Sequence, residues 1–399
     1  MEPLRTAGIP ALSYLVTRDA LLQWLVLPSG EVRVHCQQAS RAWLDTLVTG
    51  LRALIYAARP EGAGAPDSGA TMLGDVSVPL PPRCAAPPEP AGTVTRQGLE
   101  PVLAALARVI LPADLVSALP ASGELVIVPN GALGLLPFAA LPVDTTGTPL
   151  GIRYSLRYAP ALAFLERQAS PGAGVSDRPG SRLAGAVIVG NPTMPLDPET
   201  DAPFPPLGAA GTTARWLADR LGAKALTGAE ALKSSVVKAL PQAPLVHLGT
   251  HGRAFGSEAL ARRSFVVLAA DSGGDGLLTV ADVVDSLRLV ADLVVLSACE
   301  TGLGNIKETE GTLGLQRAFL ARGAHSVLVS LWKVDTAATD ALVREFYDEW
   351  LNGSAPRTKA EALRGAQEKL WKGWTTGRSS AGERLNPYWW AGFQLVGAR

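Results

Sequence analysis

Short apolar runs alternate with longer amphipathic stretches along most of the chain after residue 97. The runs are apolar on both faces, which is typical of strands covered by helices on each side. The stretches between them repeat apolar residues every three or four positions, as helices do. We therefore predict an α/β domain over residues 97–399, with a mostly parallel sheet and helices on both faces. The clearest predicted strands are AVIVG at 186–190, LVHLG at 245–249, VVLSA at 294–298 and SVLVS at 326–330.

The first 59 residues show a different pattern. Residues 11–35 contain three strand-like runs, which are separated at Arg18-Asp19 and at the turn sequence Pro28-Ser29-Gly30. Residues 41–59 then carry apolar positions at helical spacing. These features predict a small N-terminal subdomain over residues 1–59, formed by a β-meander and a helix.

Residues 60–96 join these two parts and are rich in proline, glycine and alanine. Such a composition cannot bury enough apolar surface to offset the entropy lost on ordering. We therefore expect this segment to be an exposed linker.

Composition and charge disfavour several classes of function. Lys plus Arg and Asp plus Glu both number 36 in the 399 residues, so the formal net charge is zero. This balance disfavours binding to nucleic acid or to a membrane surface. No stretch approaches the roughly 18 apolar residues of a membrane span, and the N-terminus lacks a signal-peptide pattern. We therefore expect a cytoplasmic protein.

The three cysteines, Cys36, Cys84 and Cys299, are widely spaced and form no CxxC pair. Their number and spacing disfavour both a disulfide framework and a structural zinc site. We expect them to be unpaired and the protein to hold no metal.

Two predicted strand ends carry the candidate chemistry. His251 and Gly252 follow the run LVHLG, and Cys299 follows the run LVVLSA, 48 residues after His251. Ligands bind beyond the carboxyl ends of parallel strands, where both residues are expected. A cysteine thiol is mostly protonated at neutral pH, and a neighbouring imidazole is its usual activator. The backbone N–H groups of Gly252 and Cys299 would then form an oxyanion hole.

The residues alone leave a structural role open. Cysteine is among the most buried residue types, and a histidine on a strand often packs in a core. His247 shares a strand face with His251, because it lies an even number of positions before it, and this raises the alternative of a metal pair. No third ligand has a suitable spacing. We interpret His247 as a core or supporting residue.

The motifs around these residues resemble those of the CHAT family of caspase-like cysteine peptidases, which is related to separase. The resemblance covers nearly all of residues 97–399 and implies a caspase-like fold. It also implies a cysteine endopeptidase without a cofactor, with His251 as the catalytic histidine and Cys299 as the nucleophile. The matching stretches include LVIVPNGALGLLPFAAL, VHLGTHG, LVVLSACETGLG, SVLVSLWKVD and NPYWWAGFQLVG.

The sequence departs from the family pattern at two positions. Gly249 stands where the family more often has alanine, a change that we expect to matter little. The family often has a second acid where Thr336 follows Asp335, so these two residues are the candidates for substrate binding. A buried cationic side chain needs a carboxylate partner. A hydroxyl at this place therefore predicts a P1 pocket without a strong preference for arginine or lysine.

The resemblance also implies a protein substrate, cleaved within a bacterial defence or signalling system. Tetratricopeptide repeats often accompany the family but are absent from this sequence, which leaves activation to a separate sensor or activator protein. Two competing functions stay open. One is an interaction module that cleaves nothing, and the other is a small-molecule thiol hydrolase, which would need a deep, closed pocket.

Overall fold

The computed structural model describes residues 8–57, 99–167, 183–255, 258–297, 309–332, 336–352, 357–373 and 386–398. They belong to two units, Met1–Pro171 with Gln367–Ala391 and Gly172–Ala366 with Gly392–Arg399. The predicted linker over residues 60–96 lies outside the described residues.

The described strands of the first unit are β1 Ala11–Val16, β2 Ala20–Val26, β3 Val32–Gln38, β4 Gly123–Val128 and β5 Tyr154–Tyr158. They lie in the order β3-β2-β1-β4-β5. The antiparallel pairing of β1 with β2 and of β2 with β3 confirms the predicted meander. Since β1 also pairs in parallel with β4, the meander shares a sheet with strands from beyond residue 97. A division at residues 59 and 97 into separate domains stays a prediction.

The described helices of the first unit are α1 Arg41–Ala57, α2 Leu99–Ile110, α3 Ala113–Val116, α4 Leu150–Arg153 and α5 Leu162–Arg167. The helix α1 buries Leu44, Val48, Leu51 and Ile55, which fall on one face because they are three or four positions apart. The carboxyl end of α2 is fixed by the sheet, since the Tyr14 hydroxyl donates a hydrogen bond to the Ile110 carbonyl at 3.0 Å. Such a bond satisfies a carbonyl that the end of a helix leaves free.

The second unit contains the predicted parallel sheet. Its described strands are β6 Val187–Pro192, β7 Ala225–Gly228, β8 Leu245–Gly249, β12 Leu293–Leu296, β13 Ser326–Ser330 and β14 Phe393–Gly397, while β9 Gly252–Arg253, β10 Phe265–Val267 and β11 Leu277–Thr279 form a small separate sheet. The order of the large sheet is β14-β13-β12-β8-β6-β7, and only β14 runs antiparallel to its described neighbour. Every residue of β8, β12 and β13 is buried. Burial on both faces explains why these strands are mostly apolar.

Helices flank this sheet. The ones described are α6 Gly208–Leu221, α7 Lys233–Ala239, α8 Glu258–Ala261, α9 Val280–Ser286, α10 Thr309–Ala321 and α11 Thr336–Asn352, with α12 Lys359–Trp371 divided between the units and α13 Pro387–Trp390 in the first. At least one helix thus separates consecutive strands of the large sheet, as the pattern predicts. The helix α9 begins at a capping box, in which Thr279 and Asp282 exchange side-chain and backbone hydrogen bonds.

The parallel pairing brings three strand ends to one edge. The strand β8 lies between β6 and β12, with Gly190 opposite Gly249 and Leu248 opposite Leu296. Neighbouring strands are about 4.8 Å apart, so the segments that follow Pro192, Gly249 and Leu296 leave the sheet side by side. The candidate site lies at this edge.

One cysteine differs from expectation. Cys36, on β3, is disulfide-bonded. The expectation that the cysteines are unpaired is wrong for this residue. No helix among the described residues is long and apolar enough to cross a membrane.

Gly190 is a position where α6 lies very close to the sheet. A Cβ atom at this position would lie 2.4 Å from both the Ala210 carbonyl oxygen and the Ala214 methyl group. We expect Gly190→Ala to lower the free energy of unfolding by about 1–3 kcal/mol, because helix and strand must separate. Gly208→Ala is the matched control, since a Cβ there has no neighbour within 4 Å. Urea denaturation compares the two variants, and equal stabilities would contradict the close approach.

Candidate active site

The segment after β8 is held by backbone and side-chain hydrogen bonds. The Thr250 hydroxyl donates to the Val267 carbonyl at 2.8 Å, and the Val267 N–H donates to the His251 carbonyl at 2.8 Å. His251 is itself buried, with 3% of its surface exposed. The backbone at this strand end therefore fixes the position from which the imidazole projects.

Two neighbouring residues determine the orientation of the His251 ring. Its Nε2 atom lies 2.7 Å from the Pro205 carbonyl oxygen, and the Phe204 ring stacks on it with centroids 5.5 Å apart. A carbonyl oxygen only accepts, so Nε2 carries the hydrogen of the neutral ring. Nδ1 is then the basic atom, and it is buried without a hydrogen-bond partner among the described residues. The ring is thus in the tautomer that can accept a proton at Nδ1.

The backbone of Gly252 has an N–H group directed away from β10. In an antiparallel ladder, hydrogen-bonded and non-hydrogen-bonded residue pairs alternate. His251 bonds to Val267, so the next pair, Gly252 with Val266, belongs to the non-hydrogen-bonded kind. This N–H is therefore outside the ladder and can serve as a donor, as an oxyanion hole requires.

Cys299 lies outside the described residues, and so does its backbone N–H. The last described position before it is Ser297, whose N–H donates to the Leu248 carbonyl at 3.1 Å. This bond continues the pairing of β12 with β8 to within two residues of Cys299. The dyad of His251 with Cys299, and the oxyanion role of Gly252 and Cys299, stay predictions.

His247 is a core residue of this unit. It is 1% exposed, and its Nδ1 atom lies 3.3 Å from the Tyr347 hydroxyl. Burial lowers the pKa of His247 to about 4, so the ring is neutral at physiological pH. The described residues include no group of three or more side chains that could hold a metal ion.

The packing around His247 also accounts for Gly249. A Cβ atom at Gly249 would lie 3.2 Å from His247 Nε2 and 3.3 Å from the Val189 carbonyl oxygen. These distances are tighter than ordinary contacts, so alanine at this position would press on the buried imidazole. Glycine at position 249 therefore avoids a close contact with His247.

Of the two candidate substrate-binding residues, Asp335 lies outside the described residues and Thr336 is the first residue of α11. Thr336 lines a small cavity of about 20 Å³ at the carboxyl edge of the sheet. Ser297 and His247 line the same cavity. A volume of this size holds about one water molecule.

A carboxylate that the sequence pattern did not single out also lines this cavity. Asp340 is one helical turn after Thr336, and its Oδ1 atom is buried without a hydrogen-bond partner among the described residues. Burial raises the pKa of Asp340, against the opposing charge of Arg344. The hydroxyls of Thr213 and Thr339 are likewise buried without partners in the described part of the chain. Spacing of four on a predicted helix could have indicated this acid, because such residues share a face.

A protein-family model and two curated proteins match this chain. The CHAT domain family model matches residues 89–398. Tetratricopeptide repeat protein 28 of Homo sapiens is 32% identical over 310 residues, and its counterpart in Mus musculus is 31% identical over 309 residues. Each match covers 69% of this chain and 12% of the relative. This chain thus spans a small part of the curated relatives that it matches.

Two crystal structures of the Saccharomyces cerevisiae separase–securin complex are similar in fold. Each structural match covers 100% of this chain and 30–31% of the separase chain. The TM-scores are 0.53 and 0.54, at 11% and 10% sequence identity. At this level of identity the likeness concerns the fold. It confirms the predicted caspase-like α/β fold with N-terminal antiparallel strands and a helix.

The burial of His247 predicts a pH dependence of stability. Its pKa is lower in the folded state than in the unfolded state, where it is about 6.5, so the unfolded chain binds the extra proton. This contribution to the free energy of unfolding is therefore fully present above pH 6.5 and is lost as the pH falls towards 4. Over this window we expect a loss on the order of 3 kcal/mol that is absent in His247→Gln. Urea denaturation at pH 7 and pH 4.5 measures it, and parallel losses in both proteins would contradict it.

Proposed function

Because this chain belongs to the CHAT domain family, we propose that it is a cysteine endopeptidase that uses His251 and Cys299 to cleave a partner protein. The observation that carries the proposal is the state of the His251 ring. Its Nε2–H is held by the Pro205 carbonyl at 2.7 Å, which leaves Nδ1 as a buried base without a partner among the described residues. A core histidine gains nothing from an unsatisfied buried nitrogen, whereas a general base needs one.

The chemistry follows from this tautomer. Nδ1 of His251 takes the thiol proton of Cys299, and the thiolate attacks the peptide carbonyl carbon. The resulting tetrahedral intermediate collapses when Nδ1–H gives its proton to the leaving amine, and a thioester on Cys299 remains. Nδ1 then accepts a proton from water, whose oxygen attacks the thioester. The second product is a carboxylic acid, and the free thiol is restored.

Backbone donors stabilise the charge that develops in these steps. The N–H groups of Gly252 and Cys299 are proposed to bind the tetrahedral oxyanion. The direction of the Gly252 N–H, outside the β9–β10 ladder, supports this role. Such donors are worth about 10²–10³ in kcat each in other acyl-transfer enzymes.

A partner protein is the proposed substrate, and a bacterial defence or signalling system is the proposed setting. Two findings support a protein partner. The similar separase was crystallised in complex with securin, and the curated relatives are tetratricopeptide repeat proteins. We also propose that a separate sensor or activator protein controls the activity.

Substitution of the dyad tests the proposal. We expect Cys299→Ala and His251→Ala each to reduce cleavage of a peptide library at least ~10³-fold, since members of a catalytic unit cannot replace one another. His325→Ala is the matched control and should retain full cleavage, because His325 precedes β13 at the opposite edge of the sheet and its side chain is 48% exposed. Mass spectrometry of the library products gives the rates, and thermal melts check that each variant folds. Full cleavage by folded Cys299→Ala would favour the interaction module.

The cavity beside Thr336 leads to a prediction about P1. We propose that it forms the base of the P1 pocket, where Thr336 offers a hydroxyl instead of the carboxylate that a lysine or arginine side chain needs. The raised pKa of Asp340 also weakens this residue as an anionic partner. We expect peptides with an uncharged or apolar P1 residue to be cleaved fastest. Profiling with P1-varied peptides measures this.

Two variants show which acid acts if arginine is preferred after all. A preference for arginine that disappears in Asp340→Asn would show that the Asp340 carboxylate of α11 binds the arginine side chain. Loss of the same preference in Asp335→Asn would show that Asp335 binds it. Either result would overturn the prediction of an uncharged P1.

A further inference from the structure

A loop over residues 193–205, the covering loop, supplies both groups that orient the His251 ring. Phe204 and Pro205 are its last residues. Its own backbone bonds keep it folded, since the Asp197 N–H donates to the Ala202 carbonyl at 2.8 Å and the Phe204 N–H donates to the Pro195 carbonyl at 3.2 Å. The orientation of His251 therefore depends on where this loop lies.

The start of the loop and the second residue beyond its end, Leu207, are attached to the sheet. Asn191, at the end of β6, has a φ of 48°, and its side-chain oxygen accepts the Leu207 N–H at 2.7 Å. The Thr193 N–H donates to the Gly228 carbonyl on β7 at 2.9 Å. These bonds fix the two flanks of the loop, and its middle needs a further attachment.

An ion pair provides that attachment. The Arg253 guanidinium donates two hydrogen bonds to the Asp197 carboxylate, at 2.8 Å and 2.6 Å, and lies 3.2 Å from a Glu199 carboxylate oxygen. The Arg253 and Asp197 side chains are only 18% and 11% exposed. Hydrogen bonds from Arg253 are the first cause of the lowered pKa of Asp197. A bidentate, mostly buried ion pair of this kind holds its two side chains in one geometry.

Arg253 is also close to the site itself. It lies on β9, two residues after His251, and it pairs with Phe265 of β10. Its guanidinium carbon is 5.8 Å from the ring centroids of both Phe204 and Phe265. The same side chain therefore joins β9, the strand that directly follows His251, to the loop that orients the His251 ring.

We propose that Arg253 is a positioning residue, whose ion pair with Asp197 holds the covering loop so that the Pro205 carbonyl keeps His251 Nδ1 as the basic atom. The inference rests on the proposed function, because it gives the pair a role only if His251 is the base for Cys299. When the pair is broken, the Pro205 carbonyl moves away from Nε2. The ring then has no partner that selects its tautomer, and Nδ1 is no longer always the acceptor.

The reactivity of Cys299 tests this without a substrate. The rate of alkylation by iodoacetamide follows the thiolate fraction, and mass spectrometry separates Cys299 from the other cysteines. We measure this rate from pH 5 to pH 9 in the full chain. In the parent protein we expect fast alkylation below pH 7, and in His251→Ala the profile of an ordinary thiol with a pKa of about 8.5.

Two variants break the ion pair in different ways. Asp197→Asn keeps the shape of the side chain, and Arg253→Ala removes the guanidinium. We expect each to slow alkylation at pH 6.5 by on the order of tenfold, towards the His251→Ala profile, as one pKa unit of the thiol would. Arg253→Lys keeps the positive charge but cannot form the two parallel hydrogen bonds to Asp197. Its alkylation rate should therefore lie between those of the parent protein and Arg253→Ala. The double variant should be no slower than either single one, because both substitutions remove the same interaction.

Arg262→Ala is the matched control. Arg262 forms an ion pair with Asp285 on the surface of the same unit, and both side chains are more than half exposed. Its loss should leave the alkylation profile unchanged, since exposed pairs contribute little. Thermal melts establish that each variant is folded, and Asp197→Asn carries the test if Arg253→Ala does not fold.

The outcomes separate the two proposals. If His251→Ala alkylates like the parent protein, the proposed dyad fails. If His251→Ala loses reactivity while folded Asp197→Asn and Arg253→Ala behave like Arg262→Ala, the dyad stands and the positioning role of Arg253 is overturned. Slower alkylation in both pair variants, with partial rescue by Arg253→Lys, supports the positioning role.

Discussion

The second unit depends on the parallel pairing of β6, β8 and β12. Parallel strands bring their carboxyl ends to one edge, so the chain leaves the sheet there after Pro192, after Gly249 and after Leu296. Each exit supplies one part of the candidate site: the covering loop, His251 and the segment that contains Cys299. Burial of the strands on both faces holds their register, because a slip by one residue would exchange the two faces of every strand.

The strands of this sheet were predictable because burial on both faces leaves runs that are mostly apolar and carry no charge. The pattern does not predict β5, since a charged arginine interrupts the sequence YSLRY. The structure buries Arg157 of β5 against Glu124 of β4, with Nε and Oε1 2.7 Å apart and both side chains 6% exposed. A charge can enter a core when a partner lies across the ladder, and that partner is 33 residues away in sequence.

The candidate site was predictable only in part for the same reason. The position of His251 follows from the run that precedes it, whereas the groups that orient its ring come from a loop 46 residues earlier. Neither Pro205 nor Phe204 carries a local pattern that distinguishes it from an ordinary turn residue. Arg253 is adjacent to the motif, but its role depends on Asp197, 56 residues before it. Contacts between separate loops leave no period in the sequence.

The covering loop has a consequence for how the activity would respond to motion. Proteins open in local units whose free energies lie far below that of global unfolding, and loops are among the first to open. Release of residues 193–205 from Arg253 would free the imidazole without disturbing any strand of the sheet. The fraction of molecules with a correctly held base is then set by the opening equilibrium of one loop. A protein that binds this loop could change that fraction without touching either catalytic side chain.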